Sequence, residues 1–195
     1  LIVDDLAKTV YDKEKDNLRE WLDELVLRDE AEPLHRLKFV WDPFTEAAQT
    51  AAESLRISGT VKFSFDAAID RETAILSAML VDLGEACRIT EEEIQHPDGT
   101  YTFGLEKEPS AYKVISRGWL NAQNRSCLWS KEKIVPGEFC HYEIDMVPTD
   151  HVLASGHKLA LILYGIDAEE TQRPDTVTNI TVDTASIRAA VPMLR

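Results

Sequence analysis

Thr60-Val61-Lys62-Phe63-Ser64-Phe65-Asp66 is the stretch whose reading decides the fold class. Val61, Phe63 and Phe65 alternate with Thr60, Lys62, Ser64 and Asp66, and a period of two puts the three apolar side chains on one face of a β-strand. The same period returns downstream, where Cys140, Tyr142, Ile144 and Met146 alternate with His141, Glu143 and Asp145. Ala74 to Leu83 is a nearly continuous apolar run, suited to a strand covered on both faces. Leu159 to Tyr164 is a second such run. Thr176 to Val182, rich in Thr and Val, and Ser186 to Val191 supply two more strands. Short strands separated by turn signals predict an all-β sandwich.

Upstream the period changes. Leu18, Trp21, Leu22, Leu25 and Val26 recur at three- and four-residue spacing, so Asp4 to Arg28 reads as an amphipathic helix, extended by Leu6 and Val10 and ended by Pro33. Its apolar stripe needs a partner, either the sandwich or a domain outside this chain, and of the two we expect the outside domain. Pro43 to Glu53 is Ala-rich, a short helix or a linker turn with Thr45 as N-cap. Residues 1–53 are therefore expected to form a helical lead-in and linker, and 54–195 the sandwich. The longest interruption is Gly84 to Tyr112. There Thr90 and Glu93 have the form of a capping box, predicting a helical turn, and Pro97-Asp98-Gly99 marks a tight turn. A connection of this length is a binding loop or a disordered insertion.

With 195 residues, 44% hydrophobic and 29% charged, the chain has the composition of a soluble globular protein. A formal net charge of −14 excludes nucleic acid as a partner, because that interaction needs clustered Lys and Arg to displace counterions. It equally disfavours anionic membrane surfaces. No apolar run reaches the roughly 18 residues of a membrane helix, and no secretory signal is visible. The chain begins Leu1-Ile2-Val3 without an initiator Met, which suggests a segment of a longer protein. Cys87, Cys127 and Cys140 are too few and scattered for a disulfide framework or a zinc site. Their odd count fits a reducing compartment, the cytoplasm, where the glycosylation-like Asn124-Arg125-Ser126 and Asn179-Ile180-Thr181 are chance matches.

The chemistry is equally bounded. A serine hydrolase of the α/β type needs a Gly-x-Ser-x-Gly elbow, and the sequence has none. Asp150, His151, Ser155 and His157 cluster in sequence, but a triad requires spatial convergence, and a polar corner between strands explains them. The five histidines lack zinc-protease spacing, no Cys-x-x-Cys pair occurs, and the aspartates form no calcium loop. We therefore expect no catalytic residue, no cofactor and no metal ligand in this chain. Arg117 is expected to pair with an acid of the sandwich, such as Asp82 or Asp145, through its guanidinium fork. Trp119 is expected in the core and Gly118 at a close approach, with Trp41, Trp129 and Tyr101 as surface aromatics.

Arg117-Gly118-Trp119-Leu120-Asn121, the strand-like run Gly137 to Asp145, the corner Pro148-Thr149-Asp150-His151 and Ala154 to Leu163 follow one another in order. With Leu55-Arg56-Ile57-Ser58-Gly59 and Leu80-Val81-Asp82-Leu83-Gly84 before them, this order resembles the C-terminal domain of Xaa-Pro dipeptidyl-peptidases and cocaine-esterase-like serine hydrolases. The match runs from about Leu55 to the C-terminus, and Ile187 to Pro192 resembles the dipeptidyl-peptidase branch. The resemblance implies a jelly-roll (galactose-binding-like) β-sandwich, inactive alone, from a homodimeric cytoplasmic serine peptidase that removes N-terminal Xaa-Pro dipeptides. It implies a triad upstream, in an α/β-hydrolase domain of the same polypeptide, and carries no catalytic residue onto this chain. The helix and the Gly84 to Tyr112 loop are the expected contacts with that domain. A carbohydrate-binding-like module using Trp41, Trp129 and Tyr101, or the same domain of a related ester or acyl hydrolase, is the alternative.

Overall fold

In the computed structural model, residues 1–4, 18–28, 36–46, 54–165, 167, 169–172 and 176–194 are described, at 4, 46 and 90–92 for the backbone only. Along the chain come β1 (Ile2–Asp4), α1 (Leu18–Leu27), β2 (Arg36–Trp41), α2 (Pro43–Glu46), β3 (Ser54–Gly59), β4 (Lys62–Ile69) and β5 (Ile75–Ala86). Then follow β6 (Ile89–Gln95), β7 (Tyr101–Leu105), β8 (Ser110–Asn121), β9 (Phe139–Asp145), β10 (Thr149–Ala154), β11 (Lys158–Tyr164), β12 (Thr178–Ala190) and β13 (Met193–Leu194).

Two four-stranded sheets carry the fold, ordered β1-β12-β4-β9 and β2-β11-β5-β8, with β10-β3-β13 beside them. All pairings are antiparallel. The period of two does what it predicts: Val61, Phe63 and Phe65 point inward and are fully buried, opposite Tyr142 and Ile144 of β9. Leu76, Ala78 and Leu80 of β5 and Leu159, Leu161 and Leu163 of β11 face them from the second sheet and complete the inter-sheet core. The sequence expectation of an all-β sandwich holds.

The second sheet is covered on its other face too. Met79 and Val81 of β5, Tyr112 of β8 and Ala160, Ile162 and Tyr164 of β11 form a second core with Trp21, Leu25 and Val26 of α1. This explains the continuous apolar runs in β5 and β11, which have no solvent face to supply polar residues. It also corrects the expected helix partner: the apolar stripe of α1 meets its own sandwich. Each fully buried Trp, Leu or Val there contributes roughly 1.5–3 kcal/mol through area removed from water. The helix end is tied down as well, since Lys38 Nζ donates to Val26 O at 3.0 Å and Arg36 Nη2 to Arg28 O at 2.6 Å. Two β2 cations thereby satisfy carbonyls that a helix C-terminus leaves free. The expected extension of this helix through 5–17, and its end at Pro33, lie outside the described residues.

Other expectations change at the elements themselves. β1 and β2, upstream of residue 54, are strands of the two main sheets. Thr45 lies inside α2, whose cap is Asp42: Phe44 N–H donates to Asp42 Oδ1 at 2.9 Å. Residues 47–53 lie outside the described set. The two strands read in 176–191 are one, β12, with a register irregularity between Asp183 and Arg188. Finally, 89–105 is a hairpin, with no helical turn at Thr90 to Glu93. Gln95 pairs with Tyr101 and Ile89 with Leu105. The reversal is the predicted Pro97-Asp98-Gly99 turn, where Gly99 has φ +82° and Asp98 Oδ1 accepts from Thr100 N at 3.0 Å. A capping box contributes only about 1 kcal/mol, and the ladder across this turn outweighs it.

Candidate functional site

At the end of the sandwich that carries the hairpin, three histidine and aspartate side chains meet. Asp82, on β5, is 2% exposed. As a carboxylate it only accepts, so both imidazoles donate to it: His151 Nε2 on β10 at 2.9 Å and His157 Nδ1, just before β11, at 2.7 Å. Burial pushes the Asp82 carboxyl up, but hydrogen bonds from the two imidazoles and their charge outweigh it and hold the carboxyl below its ordinary value. Arg88 adds its guanidinium 3.8 Å from Asp82 Oδ2. The same guanidinium donates to Gly84 O at 2.6 Å, Ser110 O at 2.5 Å and Ser110 Oγ at 2.9 Å. It thus stitches the end of β5 to the start of β8, at the root of the hairpin.

The sequence cluster is divided by this geometry. Asp150 turns the other way and takes a bidentate grip from Arg56, at 2.7 and 2.5 Å, on an exposed surface. Ser155 is exposed in the turn before β11, and no hydrogen bond joins it to either histidine among the described residues. What remains is a buried carboxylate that fixes two imidazoles and, through Arg88, a hairpin. Sequence reasoning gave Asp82 a place in the family resemblance and a role as a partner for Arg117, but not as the anchor of two histidines. The available signal was an aspartate inside an otherwise apolar run, because a charge there must be paired.

Arg117 pairs elsewhere, on the α1 side of the second sheet and toward the opposite end. Its Nη1 lies 2.9 Å from Glu169 Oε2 and 3.6 Å from Asp167 Oδ2. Asp167 is fully buried and also accepts from Tyr164 Oη at 2.6 Å and Trp119 Nε1 at 3.1 Å. Asp145, the other expected partner, sits 3.2 Å from Lys62. The pairing with Asp82 or Asp145 is therefore replaced, because Arg117 lies on the outer face of β8 while Asp145 belongs to the facing sheet. Trp119 is half-buried on that outer face, its indole N–H tied to Asp167. Gly118 points inward, where a Cβ would stand 2.6 Å from Ile144 Cγ2 and 3.0 Å from Met146 Cα. The expected close approach is real.

The three aromatics proposed for a sugar platform do not converge. Trp41 is half-buried against the inter-sheet core, which corrects its placement on the surface. Tyr101 lies on the hairpin, beyond the start of β8, and Trp129 lies in the loop after its end. β8 has 12 residues, so the two are separated by a strand of roughly 40 Å. Ile89, Tyr101, Phe103 and Leu105 line the hairpin, and Leu128 and Trp129 stand at the other end, Trp129 being 93% exposed.

A two-sheet antiparallel arrangement with a helix packed on one sheet defines an all-β sandwich domain, in which Asp82 and Asp167 brace neighbouring strands. Residues 5–193 match the family described as the X-Pro dipeptidyl-peptidase C-terminal non-catalytic domain, and the chain belongs to that family. The match takes in the first third, which the sequence reading had left outside the resemblance. A Xaa-Pro dipeptidyl-peptidase of Lactiplantibacillus plantarum is 30% identical over 97% of this chain and 24% of its own length. A putative one from Streptomyces avermitilis is 33% identical over 73% of the chain and 24% of its length. The chain thus spans about a quarter of these relatives. An α-amino acid ester hydrolase structure superposes with a TM-score of 0.59 at 15% identity, over 99% of this chain and 32% of its own. An aminopeptidase from a marine-sediment Thaumarchaeota archaeon gives 0.59 at 16% identity, over 100% and 33%. At such identities the likeness is one of fold.

Proposed function

We propose that this chain is the accessory domain of a serine peptidase that releases N-terminal Xaa-Pro dipeptides, packing on an α/β-hydrolase domain of the same polypeptide and shaping substrate access. The observation that carries the reading is the family match over 5–193, together with relatives of that name of which the chain covers only about a quarter. The full protein works in the cytoplasm as a homodimer, and its nucleophile, base and orienting acid lie in the hydrolase domain. The geometry described above supports a bracing role: Asp82 holds His151 and His157 together at a buried corner and, with Arg88, ties in the hairpin.

The test is hydrolysis of an Ala-Pro anilide, with a fluorophosphonate label run alongside. The polypeptide that carries this chain behind a hydrolase domain should release the anilide and take the label on one serine. The 195-residue chain alone should do neither. Turnover and labelling by the chain alone would sink the reading, as would a longer polypeptide that hydrolyses simple esters and leaves Xaa-Pro substrates intact.

A further inference from the structure

Two polar atoms inside the sandwich carry no hydrogen bond. Tyr142 Oη and Arg125 Nη1 are buried, and neither has a partner among the described residues. Tyr142 is fully buried on the inner face of β9, opposite Phe65 of β4, with the two rings 5.9 Å apart. Arg125 stands at the base of the loop that leads from β8 to β9. The two groups are neighbours: burial raises the Tyr142 phenol, and the charge of Arg125 opposes the rise. Nearly all buried polar groups are hydrogen-bonded, because one that is not forfeits the bonds it makes to water in the unfolded chain. Two such atoms side by side point to a partner that they share.

The chemistry of the two atoms limits what that partner is. The guanidinium already holds the loop's base through Nη2, 2.7 Å from Glu132 Oε2 and donating to Lys133 O at 3.3 Å. Beside it Glu132 N–H donates to Gln123 O at 2.7 Å. The carboxylate balances the arginine's charge, so Nη1 needs an acceptor and not a counter-ion. A phenol both donates and accepts. The bridging group must therefore accept from the guanidinium and trade a hydrogen bond with the phenol, and it carries no charge of its own. Cys140 lies two residues before Tyr142 on the same face of β9, and its thiol also acts on the phenol. It brings a weak third hydrogen-bonding group to the same place.

We infer that one internal water molecule binds between Arg125 Nη1 and Tyr142 Oη, accepting from the guanidinium and hydrogen-bonded to the phenol, with the Cys140 thiol at its side. About two to four polar partners suffice to hold a buried water, and a first-shell bridge of this kind is nearly as favourable as a direct hydrogen bond. The site makes Arg125 a two-sided tie. Nη2 fastens the returning half of the loop at Glu132 and Lys133, and Nη1 fastens the inner face of β9 through the water.

A crystal structure of the 195-residue chain that resolves ordered water tests the site directly. A single oxygen is expected about 3 Å from both Arg125 Nη1 and Tyr142 Oη. In solution, magnetic relaxation dispersion of the water oxygen counts long-lived internal waters. Tyr142→Phe keeps the ring and drops Oη, and it should hold one such water fewer than the unsubstituted chain. Arg125→Lys keeps a cation for Glu132 and drops Nη1, and it should lose the same water. Thermal melting of each variant shows that the count is taken on folded protein; if Arg125→Lys does not fold, the crystal and Tyr142→Phe decide. A direct hydrogen bond between Nη1 and Oη in the crystal overturns the inference. So does an anomalous scatterer at the site, which assigns it to chloride, or an equal water count in Tyr142→Phe and the unsubstituted chain.

Discussion

His157 donates its Nδ1–H to Asp82 Oδ1 at 2.7 Å, and its imidazole fills the space that a Cβ on Gly84 would occupy. The glycine and the hydrogen bond are therefore one device: the ring can reach the carboxylate because residue 84 has no side chain. Gly84→Ala should push the ring aside and destabilise the fold by about 1–3 kcal/mol, read from urea unfolding. In a Gly84→Ala/His157→Ala double variant the overlap is gone, so the pair should cost no more than His157→Ala alone. Additive costs would show that the two residues act independently.

Asp82 gives the acid limb of stability a definite sign. Its carboxyl is held below its ordinary value in the folded state, so the unfolded chain takes up the proton first as pH falls. The stability it contributes is complete above the unfolded value of about 4 and is lost as pH drops through the folded one. Asp82→Asn should lower stability at neutral pH by about 3 kcal/mol, the order expected when one partner of a buried pair is removed. The variant should also show a shallower decline of Tm between roughly pH 5 and 3. An acid limb as steep as that of the unsubstituted chain would remove Asp82 from the account.

Gly118 sets the distance between the sheets. With Ile144 Cγ2 at 2.6 Å and the Met146 backbone at 3.0 Å from an added Cβ, Gly118→Ala must separate β8 from β9. A loss of about 1–3 kcal/mol is expected, with weakened exchange protection in both strands. Gly137→Ala is a useful contrast. Nothing lies within 4 Å of its added Cβ, and only its φ of +83° opposes the change. Its cost should be about 1 kcal/mol and local.

Alkali should unfold the protein through its phenols. Burial, with the nearby Cys140 thiol, pushes Tyr142 up to about 12. Tyr112 is raised by burial and by its hydrogen bond to Asp23, and Tyr164 by burial and the charge of Asp167. A raised phenol contributes stability that is complete below the unfolded value of about 10 and is lost as pH climbs through the folded one. Of five tyrosines, these three should therefore ionise only together with the loss of tertiary circular dichroism. Ionisation of all five ahead of that loss would contradict the placement.

What the amino-acid sequence determined by itself was everything set by local period and turn chemistry. The alternation around Phe63 and Tyr142, the turn at Gly99 and the apolar stripe of α1 are each fixed within a few residues, since side-chain direction repeats every two residues in a strand and every 3.6 in a helix. The order of parts from Arg117 to Leu163 carried the family for the same reason. Partner choice was another matter. Whether the stripe of α1 met its own sheet, whether Arg117 reached Asp82 or Asp167, and whether His151 and His157 shared one carboxylate depended on strands 69 and 75 residues away in sequence. Period cannot choose between such partners, because a buried charge accepts whichever complementary group the packed sheets bring within about 3 Å. Thr90 to Glu93 shows the limit most directly. A local capping signal was present, and pairing with Phe103 across a turn overrode it.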